Sequence, residues 1–194
     1  MKNINREDLM SLESYAQQRA EYRREVLDHK KDRSLQLGKA VTLLFEDRKT
    51  IQYQIQEMLR IEKIFESEGI DEELSAYNPL IPDGDNWKAT MLIEYPDPVE
   101  RKEALQRLVN IENQIWVQVG GNERIYAISD EDLDRTRDDK TSSVHFLRFQ
   151  LSPEITENIK EETPIIFGID HPEYNLDSGV ISGGFRKSIM NDLD

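Results

Sequence analysis

The sequence predicts an α+β fold, with a largely antiparallel sheet containing two hairpins and packed against several helices. Three observations carry that expectation. Apolar stretches meet across glycine turns at residues 34–45 and again at 115–128. Segments free of Gly and Pro, with apolar residues at helical spacing, precede and follow the first of these. The regular β-α alternation with glycine-rich first turns that marks a doubly wound nucleotide fold is missing.

The elements follow in order. Over residues 6–30, Leu9, Leu12, Tyr15, Ala16, Arg19, Tyr22 and Val26 recur at helical spacing. Leu35 and Leu37 then alternate with polar neighbours, Gly38 supplies a turn, and Val41-Thr42-Leu43-Leu44-Phe45 forms the second arm of a hairpin. A long helix is predicted over 47–68. Its stripe is Ile51, Ile55, Met58, Leu59 and Phe65, and Gly69 should end it. Residues 78–86 are dense in turn formers. A strand is expected over 89–95, and Asp97 with Pro98 opens a helix by capping. Its buried face is Leu105, Leu108, Val109 and Ile111. Residues 115–119 and 124–128 flank Gly120-Gly121-Asn122 as the second hairpin. Ser129 should cap a short acidic helix, 144–151 a strand, Ser152-Pro153 a further helix, and 164–169 a last strand. The expected organisation is one domain over 1–174 and a fraying tail over 175–194.

Composition narrows the chemistry. The chain has 194 residues, a net charge of −14 and no cysteine. Leu, Ile, Val and Phe make up about a quarter of it, above the roughly 20% at which a charged chain stays disordered. The acidic balance argues against nucleic acid and against an anionic membrane surface. No apolar run approaches the about 20 residues of a membrane span, and the charged start lacks a signal-peptide core. A cytoplasmic protein is expected. Disulfides, thiolate nucleophiles and cysteine-ligated zinc or iron–sulfur clusters are excluded.

Dinucleotide, P-loop and His-Glu-x-x-His motifs are absent. Gly179-Val180-Ile181-Ser182-Gly183 has the wrong spacing for a serine elbow. Asp83, Asp85 and Glu94 occupy positions of a calcium-loop template, but Trp87 and Lys88 stand where a ligand and a glycine are needed. Of the three histidines, His29 ends a helix and His171 reads as a turn residue. His145 shares a strand face with Leu147, Phe149 and Leu151. It is either satisfied by a backbone carbonyl or part of a site.

Glu62 is the other anomaly. On a helical wheel begun at Ile51 it falls near about 20°, inside the apolar stripe. A buried carboxylate there needs an arginine such as Arg148 or Arg48, a hard metal ion, or a proton. The candidate site is therefore Glu62 and His145, with Arg148 nearby and with Asn78 and Asp83 on a lid over 78–86.

Four strings carry a family resemblance. They are Leu43-Leu44-Phe45-Glu46-Asp47-Arg48, the run from Thr50 to Glu62, Asn78-Pro79-Leu80-Ile81-Pro82-Asp83-Gly84, and Ser143-Val144-His145-Phe146-Leu147-Arg148-Phe149. They resemble a bacterial family of unknown function, domain-of-unknown-function family three thousand five hundred and one, as far as about Tyr174. The resemblance implies neighbourhood with rubrerythrin-like proteins and iron–sulfur oxidoreductases of the heterodisulfide-reductase type, and hence a redox or oxidative-stress role. It supplies no catalytic residue and no cofactor. The leading expectation is an accessory protein whose acidic surface meets a partner in a redox system. The rival is an enzyme or metal-binding protein with its site between the Glu62 helix and the His145 strand.

Overall fold

The computed structural model describes residues 2–133, 135–137 and 139–193. Among them the chain forms α1 (Leu12–Lys31), β1 (Ser34–Leu37), β2 (Val41–Phe45), α2 (Arg48–Glu62), α3 (Ser67–Tyr77), β3 (Asn86–Ile93) and α4 (Pro98–Arg107). After these come β4 (Ile115–Val119), β5 (Ile125–Tyr126), β6 (Ile128–Ser129), β7 (Val144–Gln150), α5 (Pro153–Asn158), β8 (Ile165–His171), β9 (Tyr174–Val180) and α6 (Gly183–Met190). The fold is α+β, as the sequence predicts. Every strand pairing within the sheets is antiparallel, in two sheets of order β1-β2-β3-β7-β6 and β5-β4-β8-β9.

Strand alternation builds the main core. Phe45, Trp87, Met91 and Phe149 of the first sheet and Val117, Ile165 and Phe167 of the second are buried in one cluster. Phe167 meets Phe45 edge-on at 5.1 Å and Phe149 at 5.4 Å between ring centroids. A second, smaller core holds α2 and α3 together through Ile51, Ile55, Leu59 and Leu74, closed by Ile4 and Ile81. No helix among the described residues is long and apolar enough to cross a membrane.

Both predicted hairpins form. Gly38 and Gly120 take the positive φ angles, 68° and 61°, that their turns require. Asp97 and Ser152 cap α4 and α5 as expected.

Four expectations fail. The long helix stops at Glu62, because Lys63 adopts a left-handed conformation (φ 57°) and its N–H closes onto the Leu59 carbonyl. The apolar stripe ends there, so Glu62 is exposed and Phe65 is 73% exposed. Gly69 lies inside α3, where a Cβ would sit 2.7 Å from the Ile64 side chain. No helix follows Ser129 among residues 130–133. Asp130 instead turns the chain with φ 50°.

The end of the chain is also packed rather than frayed. β9 pairs with β8, and Phe185, Ile189 and Leu193, spaced four apart, turn one face of the C-terminal segment into the main core. The Trp87 indole donates to the Ile189 carbonyl at 2.8 Å. His171 closes β8, buried, with Nε2 3.1 Å from the Val109 carbonyl oxygen.

Candidate functional site

The outer face of the first sheet, turned away from the main core, carries a cleft with apolar walls and a charged rim. Alternation sends Trp87, Ala89 and Met91 of β3 inward and leaves Lys88 and Thr90 outward. Opposite them on β7, Arg148 pairs with Lys88 and Phe146 with Thr90. The 3-10 turn Asn78–Leu80 and the segment running to Asp83 arch over this face. The space between is about 550 Å³, walled by Pro79, Leu80 and Phe146, with the β3–β7 ladder at Ala89 and Leu147 as floor. Glu46, Asp83, Lys88, Glu131, Asp132 and Arg148 supply the charge.

Most of that charge is paired in place. The Lys88 ammonium donates to the carbonyls of Pro79 and Ile81, both at 2.8 Å, and meets Asp83 at 2.7 Å. Its three donors are used, and they pin the arch to the sheet. The 78–86 segment is therefore a tethered wall rather than a free lid. Burial opposes ionisation of Asp83, but hydrogen bonds from Lys88 and Asn86 prevail and hold its carboxyl below the usual range. Arg148 grips Glu131 with two parallel bonds of 2.8 and 2.7 Å, which lowers the Glu131 carboxyl. Arg135 does the same for Asp132, at 2.6 Å on each oxygen, and stacks over Phe146 at 4.6 Å.

Glu46 differs. It follows the last residue of β2 and is 4% exposed. Thr50 and Thr90 donate their hydroxyls to its two oxygens at 2.5 and 2.6 Å. Those lengths belong to short hydroxyl–carboxylate bonds. No cation reaches its carboxylate among the described residues: Arg33 contacts Glu46 only at the backbone oxygen.

The sequence-derived candidates separate. Asp83 and Arg148 both line the cleft. Asn78 lies behind it, bonded to both backbone groups of Ile4 at 2.8 and 3.0 Å, and anchors the N-terminal segment. Glu62 is exposed at the end of α2 and pairs with neither suggested arginine. Arg148 holds Glu131, and Arg48 meets Asp8 at 2.7 Å.

His145 is fully buried on the opposite face of β7. Its Nδ1 is 2.6 Å from Asp130 Oδ2 and its Nε2 is 2.8 Å from Thr141 Oγ1. That order, hydroxyl to imidazole to carboxylate, has the connectivity of a nucleophile triad. It lacks access, because Thr141 is 1% exposed and its hydroxyl lies 3.0 Å from Glu112 Oε2. The cluster locks the 130–133 turn and the 3-10 turn Ile111–Gln114 onto the sheet. Among the described residues no three His, Asp or Glu side chains converge as a metal site.

Sequence reasoning missed Lys88, Glu131 and Phe146 as cleft residues. Lys88 left a signal, a lone cation inside the apolar run from Trp87 to Ile93. Glu131 left none, because its place depends on a turn set by Asp130.

The model of the family described as Protein of unknown function (DUF3501) matches residues 3–193, and the chain belongs to that family. The match extends past Tyr174 into β9 and α6. A crystal structure of a protein of unknown function from Burkholderia pseudomallei is 46% identical, with all of both chains covered and a TM-score of 0.93. No curated protein matches.

Proposed function

We propose that this DUF3501 protein binds a small organic molecule in the cleft between the 79–83 arch and the outer face of β3 and β7, and that it works in the cytoplasm. The observation that carries the reading is the pre-organised rim. Lys88, Asp83, Arg148 and Glu131 are held by one another around walls of Leu80 and Phe146, so binding needs little further ordering.

A fragment screen by thermal shift tests it, run on the native protein and on Leu80→Trp, which fills the mouth from a partly exposed turn. Fragments that raise the melting temperature of the native protein should lose that effect in Leu80→Trp. Retention of every hit by the blocked variant would place binding elsewhere.

A second reading keeps the accessory role in a redox system that the family resemblance implies. Ile61 and Phe65, 59% and 73% exposed beside the acidic residues Glu62, Glu66 and Glu68, favour a protein partner with a basic rim. Replacing both apolar residues by Ser should weaken partner binding and leave the cleft hits unchanged.

A further inference from the structure

We infer that the ligand of the cleft is an organic monocation, a primary ammonium group on an apolar body, with Glu46 as its charge anchor. The inference rests on the reading of the cleft as a binding site and adds the ligand's chemical class.

Four carboxylates and two cations line the cleft. Lys88 is matched by Asp83, Arg148 by Glu131, and Asp132 by Arg135 from outside the lining. Glu46 alone is left without a counter-ion among the described residues, although it is the most deeply buried of the four. A buried carboxylate held only by hydroxyls retains an uncompensated charge, which a bound cation relieves.

The hydrogen bonds specify the kind of cation. Each Glu46 oxygen accepts one hydroxyl and keeps a further lone pair. Those lone pairs accept N–H donors, which a primary ammonium has and a quaternary one lacks. A metal ion would need more ligands, and among the described residues no group of three His, Asp or Glu side chains that could hold one forms around Glu46. The walls of Leu80 and Phe146 and a space of about 550 Å³ suit an apolar body behind the charged head.

The test is calorimetric titration of the full chain at pH 7 with three probes of one shape: benzylammonium, benzyl alcohol and benzoate. Benzylammonium should bind about tenfold or more tightly than benzyl alcohol, with benzoate weaker still. Glu46→Gln should abolish that preference. If Glu46→Gln does not fold, the carboxyl carbon resonance of Glu46 in the unaltered protein decides, because it must move on titration with benzylammonium.

Benzoate binding as tightly as benzylammonium, failure of all three probes, or a stationary Glu46 resonance would each overturn the inference. The cleft reading is judged apart from it: benzoate binding that Leu80→Trp abolishes would refute the ammonium class and leave the cleft standing.

Discussion

The packed C-terminus gives a measurable pH dependence of stability. Asp192 follows α6, is 1% exposed, and accepts from Arg33 Nη2 at 2.5 Å. Arg33 also donates to the Phe45 carbonyl at 2.8 Å and the Ser188 hydroxyl at 3.2 Å, so this pair fastens the C-terminal helix to the end of β2. Burial pushes the Asp192 carboxyl up to about 6, with Arg33 pulling against it. In the unfolded chain an Asp titrates near about 3.9. The folded state therefore holds the proton more tightly than the unfolded one. Asp192 contributes most below about pH 4, and the contribution is lost as pH rises through about 6. A shift of about 2 units corresponds to about 3 kcal/mol. Asp192→Asn removes the titration, so the difference in unfolding free energy between the native protein and Asp192→Asn should fall by about that amount from pH 4 to pH 7. Urea unfolding followed by circular dichroism at half-unit steps reads this difference. A flat difference curve would show that Asp192 titrates alike in both states. A rise with pH would show that the arginine outweighs burial, and either result refutes the reasoning.

Glu57 should act in the opposite sense. Arg19, then Tyr15 and Arg60, hold its carboxyl down to about 2 despite opposing desolvation. Its contribution is therefore present above about pH 4.5 and lost as pH falls through about 2. Glu57→Gln should cost up to about 3 kcal/mol at pH 7, read by urea unfolding, and should loosen α1 from α2 in amide exchange. Gly168→Ala places a Cβ 2.2 Å from the Trp116 ring, which is itself fixed by Asp170 and stacked under Arg124, and should destabilise by about 1–3 kcal/mol in thermal unfolding. His145→Ala strips Asp130 and Glu112 of their shared partner and should cost on the order of 3 kcal/mol; an unchanged melting curve would show that the cluster holds nothing in place.

Local chemistry was legible in the sequence and tertiary pairing was not. Gly38, Gly120, Asp97 and Ser152 announce their turns and caps, because each acts on backbone within a few residues of itself. His145 was placed on the correct strand face by alternation alone, yet Asp130 and Glu112 reach it from a turn and a 3-10 segment that no periodicity marks. Glu62 departs from its expected buried place for a related reason. The stripe of Ile51, Ile55 and Leu59 is real, but extending it to Phe65 assumed a helix that Lys63 ends without the glycine usual at such a stop.

The cleft shows the same limit most sharply. Glu46 sits between the end of a predicted strand and the cap of a predicted helix, and both flanking elements were legible. What makes it unusual is the Thr90 hydroxyl, 44 positions away, brought over by the β2–β3 register, together with the commitment of Lys88 to the arch instead of to Glu46. A carboxylate is ordinary in a sequence. It becomes a candidate anchor only when folding seals it from water and assigns every nearby cation to another partner.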